Sequence, residues 1–261
     1  MTPAFLLTLS LLGFVGSFVS GFLGVGGAIV MIPLVYYVPP LFGVGSLDIR
    51  HVAGVTMTQV LAASVIGALT HGRSAMVHRR LALTGGTAMA LGSLLGAVMS
   101  SRVSGHAILA IFALMTTMAL PLMFVSPTRI DESALRSNVP FDAAGAVIYP
   151  GAIGLASGLV GAGGAFLLVP VLIALLRIPV RLSIGTSLAM TAVSASMGFL
   201  GKALTAQVPL WPALAVVVGS LLGAPLGART SRRAPVNVLR AMLASLIGLV
   251  AIRVWADVLS R

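Results

Sequence analysis

Residues 20–33 read SGFLGVGGAIVMIP, and residues 157–170 read SGLVGAGGAFLLVP. Seven of the fourteen positions are identical, including four glycines and the closing proline. Each copy sits inside a long uncharged run, and glycine weakens a helix interior by about 1 kcal/mol relative to alanine. Each phrase therefore reads as a break between two apolar helical segments, written twice in one chain.

The composition around the breaks points to a bilayer. The chain has 261 residues, 58% hydrophobic and 8% charged, with a mean hydropathy of +1.11; ordinary soluble domains carry roughly 25% charged residues. No charged side chain occurs in residues 1–47, 143–176 or 203–228, and a spanning helix needs about 20 such residues. The fold class expected is an all-α polytopic membrane protein. The opening MTPAFLLTLS has no basic n-region, so no cleaved signal peptide is expected. The absence of cysteine excludes disulfide and thiolate chemistry. A net charge of +11 would suggest nucleic acid in a soluble chain. Here it reads as topology, because Lys and Arg mark cytoplasmic loops, and no nucleic-acid partner is expected.

Two further matches preserve the order of the first. RHVAGVTMTQVLAASVIGAL (50–69) aligns with RLSIGTSLAMTAVSASMGFL (181–200), pairing Arg50 with Arg181, Gly54 with Gly185, Thr56 with Ser187 and Gly67 with Gly198. GSLLGA recurs unchanged at 92–97 and 219–224. The three offsets, 137, 131 and 127, differ only by loop length. The chain reads as an internal duplication of the kind found in transporter folds. Residues 1–125 make the first membrane repeat, 126–142 (SPTRIDESALRSNVPFD) a polar cytoplasmic linker, and 143–261 the second repeat.

Five apolar segments are expected in each repeat, near 4–20, 25–42, 52–70, 81–101 and 106–125, then 143–158, 161–176, 184–201, 208–228 and 236–256. The uncharged run 143–176 holds 34 residues, roughly 51 Å as one helix, too long for one crossing of about 30 Å and too short for two comfortable ones. A short or re-entrant hairpin bent at the glycines fits it, followed by three transmembrane helices. If each opening pair returns to its starting side, each half crosses an odd number of times and the two repeats are inverted. On that topology eleven basic residues face the cytoplasm (Arg73, Arg79, Arg80, Arg129, Arg136, Arg177, Arg181, Arg229, Arg232, Arg233 and Arg240). Five (Arg50, Arg102, Lys202, Arg253 and Arg261) face the other side, with both termini outside.

The interior carries little ionisable chemistry. All five acids, Asp48, Asp131, Glu132, Asp142 and Asp257, fall at loops or segment ends, whereas cation pathways and proton relays use intramembrane carboxylates. His51, His71, His78 and His106 lie near segment ends without a metal-ligand spacing. They read as interfacial residues, and neither metal nor cofactor is expected. Thr56, Thr58 and Gln59, with Thr186, Ser187 and Thr191 in the mate helix, serve close packing in the ordinary case; the alternative is hydrogen bonding to a polar solute. Arg50 and Arg181 precede equivalent helices and read either as snorkelling anchors or as groups that attract or gate an anion. Trp211, Trp255, Tyr36 and Tyr37 read as interface aromatics.

At the breaks themselves, unwound backbone cannot be left bare in hydrocarbon, so its N–H groups meet protein, water or a ligand. A helix beginning after the break presents its positive end there, which suits an anion. Close helix crossing without a ligand is the competing reading. The candidate binding set is Gly24, Gly26, Gly27, Ala28, Gly161, Gly163, Gly164 and Ala165, with the hydroxyl and amide residues named above.

The paired phrases, each followed by a glycine-hydroxyl helix such as IGTSLAM, resemble the TauE/SafE family of sulfite exporters across essentially the whole chain. The resemblance implies a prokaryotic cytoplasmic-membrane transporter that exports a small sulfur-containing anion such as sulfite, sulfoacetate or a related organosulfonate. Carried over residue by residue, it assigns the motif to Gly24, Gly26, Gly27, Gly161, Gly163 and Gly164, with Thr56, Thr186 and Ser187 on the helices that follow. The first half departs from the pattern, reading GVTMTQ where the second has GTSL. The expected partners are a small anion and the lipid bilayer; a coupling ion (H+ or Na+) and a homo-oligomer are both compatible. The alternative is a channel or transporter for another small anion. A membrane-embedded enzyme would need a catalytic constellation that this sequence does not display.

Overall fold

The computed structural model describes residues 2–23, 28–71, 77–122, 142–231 and 236–260. The first break at 24–27 and the linker 126–141 lie outside the described residues. Each of the ten apolar segments is a helix: α1 (Pro3–Leu23), α2 (Ala28–Leu41), α3 (Ile49–His71), α4 (Arg79–Met99), α5 (Gly105–Leu122), α6 (Ala143–Val160), α7 (Ala165–Ala174), α8 (Val180–Leu204), α9 (Leu210–Ser231) and α10 (Val236–Leu259). Among the described residues there is no strand. Six helices, α1, α4, α5, α6, α8 and α9, are long and apolar enough to cross a membrane, and the chain is an all-α multi-pass membrane protein.

The uncharged run 143–176 divides unevenly. Asp142 caps the start of α6, its carboxylate accepting from Ala144 N at 3.1 Å and Gly145 N at 2.9 Å. From there α6 runs eighteen residues, about 27 Å. After the glycines α7 has only ten residues, about 15 Å, half of a hydrocarbon core. The opening pair of the second repeat is thus one full-length helix and one half-length helix.

The two halves pack reciprocally. α1 lies along α9 and α6 along α4, so the first helix of each half covers the fourth helix of the other. α3 crosses α8 and α5 packs on α10. GSLLGA forms these seams. A Cβ on Gly219, Gly223 or Gly227 would run into the α1 backbone at Ser10, Phe14 and Phe18, and one on Gly92 or Gly96 into the α6 backbone at Gly151 and Leu155. The opposite faces reply in kind. Gly13 and Gly21 of α1 abut the backbone at Val216 and Ala224, while Gly154 and Gly158 of α6 abut it at Met89 and Ser93. In lipid, where apolar burial drives no association between helices, close approach of backbones supplies the dispersion energy that holds them together.

The surface is apolar, unlike that of a soluble protein. Leu7, Leu11, Leu91, Leu95, Leu222, Leu249 and Ile252 point outward, while the largely apolar interior also holds Ser17, Thr56, Gln59, Ser93, Thr191 and Ser194. Of the aromatics, Trp211 is exposed at the start of α9. Trp255 donates from Nε1 to Thr117 Oγ1 at 3.0 Å, tying α10 to α5. Tyr37 donates to Asp257 at 3.3 Å, with the Arg253 guanidinium 4.6 Å over its ring.

The seams make a direct prediction. Gly96→Val or Gly223→Val forces two helix backbones apart, whereas a side chain at Gly248 meets nothing within 4 Å. The first two variants are expected to lower the melting temperature in detergent by roughly 3–10 °C, or to abolish recovery of monodisperse protein, and Gly248→Val to leave both unchanged. Size-exclusion chromatography with a thermal melt checks this.

Candidate functional site

The second break is built from left-handed backbone. Gly161, Gly163 and Gly164 have φ of +80°, +64° and +76°, a region costing other residues roughly 1–2 kcal/mol each. Gly161 N and Ala162 N both donate to Ser157 O, at 2.8 and 3.0 Å, closing the end of α6. α7 then begins at Ala165 with Gly164 as its N-cap and no side-chain cap. Leu167 N and Leu168 N turn back to Gly164 O at 3.2 and 2.9 Å, so the N–H groups of Ala165 and Phe166, at the positive end of the helix dipole, are the ones that open onto the break.

Two helices from outside the hairpin hold it. A Cβ on Gly161 would collide with the backbone of Ala53 on α3. One turn further along α3, Thr56 Oγ1 lies 3.0 Å from Gly161 O, and its one proton is shared with Val52 O at 2.9 Å and Ala53 O at 3.2 Å. On the other side of the break, a Cβ on Gly163 would lie 2.5 Å from Val60 Cγ1 of α3 and 3.6 Å from Thr191 Cγ2 of α8. The glycine backbone thus fills the crossing of α3 and α8, at the middle of the molecule.

Most hydroxyls singled out in the sequence are engaged with backbone. Thr58 donates to Gly54 O at 2.8 Å and Ser187 to Ile184 O at 2.9 Å, each within its own helix. Thr186 Oγ1 accepts from His78 N at 3.0 Å, and the His78 ring caps α4 by accepting from Leu81 N at 3.1 Å. Gln59 donates to Ser17 of α1 at 3.0 Å, while among the described residues its Oε1 has no partner and Thr191 Oγ1 has none either. Ala28 is buried at the start of α2, and Ala165 is half-buried. Arg50 clasps Val103 O through Nε at 3.2 Å and Nη2 at 2.8 Å, tying the start of α3 to the α4–α5 turn. Gly24, Gly26, Gly27 and the Arg181 side chain lie outside the described residues.

Three further groups escape sequence reasoning. Ser93 and Ser194 are buried hydroxyls without a partner; Ser194 sits one helical turn beyond Thr191, so its spacing is the signal that finds it. The third is Lys202. Counted with the loop charges on sequence grounds, it is instead fully buried near the end of α8. Its Nζ donates to Ser100 Oγ at 2.7 Å, Leu159 O at 3.0 Å and Gln207 Oε1 at 3.1 Å. Gln207 is fixed in turn by Ala97 O at 3.1 Å and Thr205 Oγ1 at 2.6 Å. The ammonium therefore joins α4, α6, α8 and the α8–α9 turn. A cation on the last carbonyls of a helix gains about 0.3–1 kcal/mol, and about 2 in favourable partly buried sites. Desolvating an ion still costs several kcal/mol after relaxation. Capping α6 thus leaves much of that cost unmet.

Comparison with known proteins places the chain. The model of the family described as "Sulfite exporter TauE/SafE" matches residues 9–254. A Xylella fastidiosa protein described as "Probable membrane transporter protein" is 29% identical over 252 residues, 95% of this chain and 92% of the relative. "Probable membrane transporter protein YdhB" of Bacillus subtilis is 27% identical over 85% of this chain and 89% of its own length. "Probable membrane transporter protein MJ0441" of Methanocaldococcus jannaschii is 24% identical over 95% of this chain and 96% of its own length. No solved structure gives a significant match.

The Thr56 contact is testable by stability. Thr56→Val keeps the shape and removes the donor shared with Gly161 O, which should cost roughly 1–2 kcal/mol, or about 2–8 °C in melting temperature. Thr56→Ser should restore the wild-type value, and Thr58→Val, whose hydroxyl bonds only its own helix, should change it little.

Proposed function

The chain belongs to the sulfite exporter TauE/SafE family of membrane transporters, and we propose that it exports a small sulfur-containing anion such as sulfite, sulfoacetate or a related organosulfonate. The observation that carries this reading is the second break. There the N-terminus of α7, which has no side-chain cap, opens beside Thr191, whose methyl lies nearest Gly163 and whose buried hydroxyl has no partner among the described residues. Helix N-termini favour anions, and a buried hydroxyl beside one can offer a hydrogen bond worth roughly 1.5–3 kcal/mol to a charged acceptor. The described acids, Asp48, Asp142 and Asp257, all lie outside the helices or in a last turn, which speaks against a cation as the transported species.

Alternating access follows from the same architecture. The reciprocal packing of α1 on α9 and α6 on α4 supports two inverted repeats, and the split of basic residues, eleven to four once the buried Lys202 is set aside, supports termini on the outside of a prokaryotic inner membrane. Gly24, Gly26 and Gly27 would then form the mirrored half of the site. Rocking of one repeat against the other about the α3–α8 crossing exposes the site to each side in turn. Proton or sodium coupling would set the direction of net flux.

Reconstitution tests the reading. Purified protein in liposomes should give saturable flux of radiolabelled sulfite or sulfoacetate; flux of none of these under any ion gradient overturns it, and unsaturable conductance points to a channel. Thr191→Val should raise the half-saturating concentration about 10- to 100-fold. Its melting temperature should stay at the wild-type value, because that hydroxyl bonds none of the described residues.

A further inference from the structure

Lys202 is the chain's only lysine, and the protein spends considerable structure on burying it. All three ammonium protons meet oxygen, and all three oxygens are neutral: a serine hydroxyl, a glutamine amide and a main-chain carbonyl. No carboxylate contacts it among the described residues. Arg50 clasps Val103 O, three residues beyond the Ser100 that binds Lys202, and its side-chain hydrogen bonds also go to a neutral oxygen. Arg50 has the Asp48 carboxylate beside it, accepting from its backbone N–H at 3.3 Å, whereas no carboxylate bonds Lys202 among the described residues. A buried charge is tolerated when it is paired, and in direct contact with the ammonium the described residues supply only dipoles.

The position of that charge is equally informative. Leu159, whose carbonyl takes one ammonium proton, stands two residues before Gly161, where the left-handed turn of the second break begins. Gly161 O is in contact with Thr56. The ammonium therefore lies against one end of the break, while the uncapped N-terminus of α7 lies at its other end. Both features attract negative charge, and both border the same few residues. The duplicated half offers no equivalent: the repeat alignment that pairs Arg50 with Arg181 sets His71 opposite Lys202.

We propose that Lys202 is the positive charge that binds the transported anion, its ammonium exchanging the Leu159 carbonyl for an anionic oxygen at the second glycine break. The inference rests on the anion-transport reading and deepens it, making the second break the stronger half of the site. It also accounts for the neutral cage. A carboxylate partner would compete with the anion, whereas a hydroxyl, an amide and a carbonyl hold the ammonium in place and leave its charge uncompensated.

The experiment compares the full-length protein in liposomes with Lys202→Gln, Lys202→Arg and Ser100→Ala, using radiolabelled sulfite and sulfoacetate. Lys202→Gln should raise the half-saturating concentration at least about tenfold, with Lys202→Arg within about threefold of wild type. A Lys202→Gln protein that loses thermal stability but keeps wild-type half-saturation overturns the proposal, because a lysine that only caps α6 behaves in that way. If Lys202→Gln does not fold, Ser100→Ala decides: it removes one acceptor from the ammonium and keeps the charge. A lower half-saturating concentration then supports the proposal, and an unchanged or higher one overturns it. Absence of saturable flux in the wild type is a separate result; it removes the anion-transport reading and this inference with it.

Discussion

A backbone N–H or C=O that leaves its helical ladder inside a bilayer has no water to turn to, and the centre of this protein is organised around that constraint. Three left-handed glycines release the ladder between α6 and α7. The freed groups are then taken up one by one. Ser157 O accepts two N–H groups, Thr56 lies against Gly161 O, and Lys202 takes Leu159 O. The first turn of α7 has no side-chain cap, and Leu167 N turns back to Gly164 O. In a soluble protein such an end would be hydrated without consequence. In a membrane it is either a defect or a place for a ligand.

The same absence of a side chain plays two distinct parts here. At the break, glycine is needed for its backbone conformation. At the seams between α1 and α9 and between α4 and α6, the glycines sit in regular helix and are needed for the room they leave. Each seam joins the first helix of one half to the fourth of the other. The halves consequently share their packing surfaces, and the broken hairpin of the second half rests on α3 of the first.

Charge is handled with similar economy. The described acids stay at helix ends, Asp142 capping α6 and Asp257 beside Tyr37. Arg50 is held by a carbonyl at the α4–α5 turn. Lys202 is the exception, a cation drawn inside and surrounded by neutral oxygens. Its place is beside the second break, two residues before Gly161 through the Leu159 carbonyl.

Sequence alone determined the bilayer setting and the ten helices, because each rests on local composition: uncharged runs of spanning length and glycine clusters between them. The break at 161–164 was legible for the same reason, since left-handed backbone is a property of glycine itself. Sequence could not determine which polar groups are left over. Thr56, Thr186 and Thr191 look alike as letters, yet one faces Gly161 O, one receives His78 N, and one bonds none of the described residues. Lys202, two residues from the end of α8, reads as a boundary charge until α4, α6 and the α8–α9 turn close over it. Those differences arise from which helix stands opposite each residue, and only the tertiary packing of one half against the other decides that.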